Sequence, residues 1–182
     1  IGDATGHGMR AGTMVTSAKS LFNSYAANPD ILFTFREMTR CIKQMQFQSL
    51  AMSMTMLKIQ NNRLIMSAAG MPPVYLFRNK HKIIEEYLME GMPLGTMDNF
   101  PYELKEMELF SGDTILLMSD GFPELRNQNK EMLGYKRARN SFEEVAEKEP
   151  ERIITYLKEV GSRWTGDKEP DDDVTFVVIK VK

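Results

Sequence analysis

Ser111-Gly112-Asp113-Thr114-Ile115-Leu116-Leu117-Met118-Ser119-Asp120-Gly121 joins a tight turn, an unbroken apolar run and a carboxylate. The run has no polar alternation, so it suits a central strand covered on both faces. Asp120 follows that strand directly. A carboxylate at the end of a buried strand is rigidly held, as a metal ligand should be. Asp-Gly after a strand is equally an ordinary turn, and Asp120 alone does not separate the two readings.

Outward from this strand, the upstream half changes period twice. Met14, Ala18, Leu21, Phe22 and Tyr25 recur at helical spacing. Asn28-Pro29 breaks that pattern and starts a second helix with Pro at its first position, and Ile31, Leu32, Phe35, Met38, Ile42 and Met45 form the apolar stripe. The two helices are expected between about residues 7 and 48. Met52, Met54 and Met56 then alternate with Ser53, Thr55 and Leu57, which is strand periodicity. Asn61-Asn62 turns the chain into Leu64–Met66; Gly70 and Pro72-Pro73 precede Val74–Phe77; Asn79-Lys80 turns into Lys82–Glu86. These segments read as one antiparallel meander. A further strand is expected near Tyr102–Leu109, helix over 130–163 with a break near Pro150, and a last buried strand over Val174–Val181. Helices grouped apart from antiparallel strands indicate an α+β or layered α-β-β-α domain.

Composition sets the bounds. The 182 residues suffice for one compact domain, with 42% apolar and 26% charged side chains. A net charge of −2 gives no nucleic-acid footprint. No apolar run is long enough for a membrane-spanning helix, no secretory signal is present, and a single cysteine forms no internal disulfide, which together suit a cytoplasmic setting. Ile1 is not a start methionine, so a piece of a longer polypeptide is expected, and that parent remains free to be membrane-anchored. The 15 methionines are read as core filling, since thioethers pack irregular gaps.

Two more acidic stretches accompany Asp120. Gly2-Asp3-Ala4-Thr5-Gly6-His7-Gly8 places Asp3 before a glycine-rich turn into a helix, where it reads equally as an N-cap or as a cation ligand beside backbone carbonyls. Asp171-Asp172-Asp173 precedes the last strand. Adjacent carboxylates repel one another unless a cation is present, although a solvated acidic loop, extended by Asp167 and Glu169, is the plainer alternative. Three separated carboxylates are the donor set a hard divalent cation needs.

Taken in order, the motifs are more specific than any one of them. Gly2-Asp3-x-x-Gly6-His7-Gly8, Ala69-Gly70-x-Pro72-Pro73, Pro93-Leu94-Gly95, Gly112-Asp113-x-x-Leu116-x-x-Ser119-Asp120-Gly121-x-x-Glu124 and Asp172-Asp173-x-Thr175 span the chain. This order resembles the SpoIIE-like phosphatases, bacterial members of the PPM (protein phosphatase 2C-like) metal-dependent serine/threonine phosphatases. The resemblance implies a four-layer α-β-β-α sandwich of antiparallel sheets flanked by helix pairs. It implies two Mn²⁺ or Mg²⁺ ions that activate water for attack on a phosphoserine or phosphothreonine, with no protein nucleophile. By the same resemblance Asp3 bridges the metals, Ala4 offers its carbonyl, and Asp120 and Asp172 complete the ligands present here. These residues, Asp3, Asp120 and Asp172, are the catalytic set it implies. The implied substrate is a phosphorylated protein such as an anti-sigma-factor antagonist, with a sensor domain upstream in the parent chain.

The chain departs from the family pattern in places. Met71 stands where the family usually has His, and Thr5 where it has Ser. A further acidic ligand and the first strands belong upstream of Ile1. A single domain over residues 1–182, truncated at its N-terminus, is therefore expected, with weak metal binding and little activity by itself. A sheet edge left open would favour pairing between chains, so a dimer is allowed.

Competing chemistries fare worse. Asp171-x-Asp173-x-Thr175 also matches a haloacid-dehalogenase signature, but only seven residues follow Thr175 and no such domain can be built from them. Cysteine-phosphatase chemistry needs an Arg six residues after the Cys; Cys41 has Phe47 there. His7 is read as structural and His81 as a solvated turn residue. The non-enzyme alternative is a degenerate phosphatase fold serving as a regulatory or binding module.

Overall fold

The computed structural model describes residues 1–47, 50–166 and 168–182. Its elements in chain order are β1 (Gly2–Ala4), α1 (Gly8–Tyr25), α2 (Ile31–Gln44), β2 (Met52–Gln60), β3 (Arg63–Ala69), β4 (Val74–Arg78), β5 (Ile83–Tyr87), β6 (Lys105–Glu108), β7 (Thr114–Met118), α3 (Gly134–Val145), α4 (Pro150–Thr165) and β8 (Phe176–Lys180). The class is α+β, with two antiparallel four-stranded sheets and two helix pairs. The residues fall into two compact units. One comprises Ile1–Met71 and Met89–Glu108; the other comprises Pro72–Leu88 and Leu109–Lys182.

The first unit holds the sheet β1-β2-β3-β6 and helices α1 and α2. Asn61 and Asn62 both have positive φ (50° and 62°) between paired Gln60 and Arg63, the backbone that a two-residue hairpin requires. Asp30 caps α2, accepting from the Leu32 N–H at 2.8 Å. The α2 stripe Ile31, Phe35, Met38 and Ile42 packs with Met14 and Ala18 of α1 and with Met52, Met54 and Met56 of β2 in one core. The thioethers therefore fill this core as expected, while Met9, Met45, Met92, Met97 and Met132 are exposed.

The second unit holds the sheet β5-β4-β7-β8 and helices α3 and α4. β7 is buried along its whole length, as its unbroken apolar run requires, and lies between β4 and β8. Tyr75, Phe77, Leu116 and Met118 pack with Phe142 of α3 and with Ile153 and Leu157 of α4. Pro150 sits in the first turn of α4, and Gly166 ends it in the left-handed conformation (φ 61°). No helix among the described residues is long and apolar enough to cross a membrane.

Several expectations are corrected. The strands from 52 to 87 form no single meander: β2 pairs β3 and β4 pairs β5, but β3 and β4 belong to different sheets. Gly70, at φ +73°, and the donor-free Pro72-Pro73 end the first ladder before β4 begins. Asp3 is in a strand, paired with Ser53, and His7 is the N-cap of α1. Pro29 precedes the N-cap Asp30 rather than opening α2, and Met45 is the exposed C-cap rather than part of the stripe. β8 runs over Phe176–Lys180 rather than Val174–Val181, and it is half-buried rather than buried. The expected helical limit at residue 48, and Asp167 of the acidic run, lie outside the described residues.

Candidate metal centre

In the first unit, Asp3 is half-buried within β1. Ala4, paired with Met52, is buried. The Thr5 N–H donates to the Ala51 carbonyl at 3.1 Å, and Thr5 Oγ1 accepts from the Ala51 N–H at 2.9 Å. A side chain at Gly2 would meet the Ser53 carbonyl oxygen at 2.9 Å, so the glycine is needed for β1 to approach β2. Gly6 and Gly8 have positive φ in open space, which carries the chain around the turn into α1. His7 is exposed and makes no side-chain cap hydrogen bond.

In the second unit, Asp120 is half-buried one residue past Ser119, at the end of β7, and Asp172 is exposed before β8. Although far apart in sequence, each offers a carboxylate oxygen within 4.8 Å of the other. Oxygens bound to one divalent cation lie about 2.0–2.6 Å from it, so two of them are separated by no more than about 5 Å. The pair fits such an ion by chemistry and by spacing.

Three contacts hold these ligand segments together. Ser119 Oγ donates to the Asp173 carbonyl at 2.9 Å and accepts from the Thr175 N–H at 2.9 Å. The Gly121 Cα lies against the same carbonyl, since a Cβ there would sit 2.4 Å from the Asp173 oxygen. Phe122, buried just after Asp120, meets Phe176 edge-on with centroids 4.9 Å apart. The turn from Asp120 is closed by the Glu124 N–H donating to the Asp120 carbonyl at 3.0 Å.

The local field is negative. Burial first, then the charges of Asp120 and Glu124, push the Tyr135 phenol above its ordinary value. The expected repulsion among the three adjacent carboxylates is partly relieved by Lys168, whose Nζ lies 3.1 Å and 3.3 Å from the two Asp171 oxygens. Asp172 Oδ1 accepts from the Asp173 N–H at 2.7 Å.

The remaining candidates sit in surroundings of their own. Cys41 is half-buried in α2, 3.7 Å from the Tyr25 hydroxyl. His81 is exposed in the β4–β5 turn, and Met71 is buried. Sequence reasoning missed Ser119, because a serine before Asp-Gly reads as part of a turn. The signal is that it directly follows a fully buried strand, where a hydroxyl needs partners.

A family model for stage II sporulation protein E (SpoIIE) matches residues 1–182. Among solved structures, the SiaA-PP2C domain of Pseudomonas aeruginosa aligns with TM-score 0.87 and 17% identity, over 100% of this chain and 74% of that one. The PP2C phosphatase domain with a fragment of the regulatory domain of SpoIIE from Bacillus subtilis gives 0.78 and 18%, over 99% of this chain and 54% of that one. The RsbU and RsbW domains of a Mycobacterium tuberculosis protein give 0.77 and 23%, over 98% of this chain and 50% of that one. The chain thus spans about half the length of the last two, and these likenesses establish the fold. No curated protein sequence matches the chain significantly.

Proposed function

Since the chain belongs to the stage II sporulation protein E (SpoIIE) family, we propose that residues 1–182 are a single phosphatase domain. It acts as a metal-dependent phosphoserine/phosphothreonine protein phosphatase, the output domain of a bacterial signalling protein. The observation that carries this reading is the approach of the Asp120 and Asp172 carboxylates to within the reach of one ion. The family motifs add Asp3 and the Ala4 carbonyl as the further ligands of two Mn²⁺ or Mg²⁺ ions.

Bound cations of this kind activate water and neutralise phosphoryl oxygens. Phosphate-monoester hydrolysis is among the slowest uncatalysed reactions, so the barrier to be lowered is large. The chain's own part is to hold hard oxygen donors at fixed places. Asp120 is fixed by the end of a buried strand, and Asp172 by the ties between its loop and Ser119-Asp120-Gly121-Phe122. This scheme asks for no side-chain nucleophile. The substrate is a phosphorylated protein, by family resemblance an anti-sigma-factor antagonist, and the output role implies a sensor domain in the parent polypeptide.

The test is hydrolysis of p-nitrophenyl phosphate and of a phosphoserine peptide by the parent polypeptide with and without Mn²⁺, since residues 1–182 alone are expected to show little activity. Activity that requires Mn²⁺ and falls roughly 100-fold or more in Asp120→Asn is expected, since a ligand should matter at least as much as the groups that orient it. Hydrolysis indifferent to chelation or to Asp120→Asn overturns the mechanism. A folded protein that hydrolyses neither ester, with or without Mn²⁺, supports instead the regulatory module with a degenerate site.

A further inference from the structure

We infer that Ser119 is a positioning residue for the cation: its hydroxyl sets the distance between the Asp120 and Asp172 carboxylates. The inference rests on the proposed metal site, and concerns how this chain builds it.

Ser119 is 5% exposed and lies between the end of β7 and Asp120. Its backbone N–H donates to the Thr175 carbonyl at 3.0 Å, continuing the ladder in which Met118 pairs with Phe176. Its hydroxyl does something the ladder does not. It donates to the Asp173 carbonyl and accepts from the Thr175 N–H, both at 2.9 Å, on either side of Val174. A single oxygen next to one ligand therefore grips the chain one residue beyond the other, on both sides of Val174.

The rest of the Asp172 segment has weaker anchors. It lies outside β8, its three carboxylates are exposed, and the Lys168–Asp171 pair is solvated on both sides. From the other side, Gly121 allows the Asp173 carbonyl to come within a distance no Cβ would tolerate. The hydroxyl draws the carbonyl in, and the missing side chain leaves room for it. Without the hydroxyl, the ladder bond from the Ser119 N–H still holds Thr175, but residues 171–173 are free to swing with Asp172. Groups that orient metal ligands typically account for 10- to 100-fold in affinity.

The test is Mn²⁺ binding, read from the free-ion electron paramagnetic resonance signal, for wild type, Ser119→Ala and Ser119→Thr. Ser119→Ala is expected to bind roughly 10- to 100-fold more weakly. Ser119→Thr, which keeps the oxygen, is expected to restore most of the affinity. A second measurement needs no variant: saturating Mn²⁺ should slow amide exchange at Thr175 in wild type, because binding and the clamp stabilise one another reciprocally. Equal Mn²⁺ affinity in wild type and Ser119→Ala overturns the clamp and leaves the metal site standing. So does Thr175 exchange unchanged by Mn²⁺, which decides the matter even where Ser119→Ala does not fold. Wild type that binds no Mn²⁺ overturns the metal site and the clamp together.

Discussion

Replacing Asp113 by alanine should destabilise the second unit by about 3 kcal/mol without touching the candidate site. Asp113 is 1% exposed and directly precedes β7. One carboxylate oxygen accepts from Arg78 Nη1 at 3.0 Å and from the Phe110 N–H at 3.1 Å; the other accepts from the Asn79 N–H at 3.0 Å. Removing one member of a buried ion pair costs about 3–5 kcal/mol, chiefly because the partner charge is stranded. Here Arg78 keeps Glu85, whose carboxylate accepts from Nε at 2.8 Å, so the lower end of that range applies to the charge. The two orphaned amides lie in turns that water can reach, so they add little beyond it. A loss of about 3 kcal/mol corresponds to roughly 6–12 °C in Tm for a protein of this size. Asp113→Asn keeps an acceptor oxygen and the shape of the side chain, and should cost about 2 kcal/mol. Glu85→Ala, whose partner retains Asp113 and whose own side chain is 33% exposed, should cost less than about 1 kcal/mol. The assay is thermal and urea unfolding followed by fluorescence of Trp164, the single tryptophan, which belongs to the same unit and donates to the Leu125 carbonyl at 3.0 Å. A Tm shift below about 2 °C for Asp113→Ala, or an equal cost for Glu85→Ala, refutes the argument from stranded charge.

Two further outcomes follow from the same unit. Gly112 has φ +86°, and a Cβ there would sit 2.2 Å from Asn79 Nδ2, so Gly112→Ala should cost about 1–3 kcal/mol in urea unfolding; adding Asn79→Ala should recover only the part due to the clash. Tyr75 is fully buried, and burial, followed by the Glu86 charge, raises its phenol well above its ordinary value near 10. Below pH 10 both states hold the proton and the contribution is intact; above it the unfolded chain ionises first, so stability falls as pH rises. Urea midpoints at pH 9 and pH 11 should show wild type losing about 1 kcal/mol more than Tyr75→Phe over that interval. Equal losses would mean that Tyr75 ionises normally.

What the sequence made legible depended on whether the determinant was local. The α2 stripe Ile31, Phe35, Met38, Ile42 and the alternation Met52, Met54, Met56 are periodic within one element, and each faces its core as read. β1 has three residues and no period to display; it is a strand only because β2 pairs with it. The division of β3 and β4 between sheets was equally hidden, because consecutive strands usually pair and nothing within either strand names its partner. At the site, Asp120 and Asp172 stood out as motif carboxylates, whereas Ser119 acts on residues more than fifty positions away. Asp171 looked like a source of repulsion until its Lys168 partner was placed.

The two ligands in the second unit are supported unequally, and the difference has a consequence. Asp120 inherits its position from β7, buried along its length, so moving it requires moving the core. Asp172 is exposed and owes its place to a few contacts: one hydroxyl, one glycine and one aromatic pair. Loop positions like this open at far lower free energy than core strands. Cation affinity should therefore follow the order of the Asp172 loop rather than the stability of the domain. Substitutions that cost the same in urea will then differ in Mn²⁺ binding according to side: those in the β4–β7 core leave affinity nearly unchanged, and those at Ser119 or Gly121 do not. The ratio of the two effects, measured on one set of variants, separates a site built on the core from one assembled by its loop.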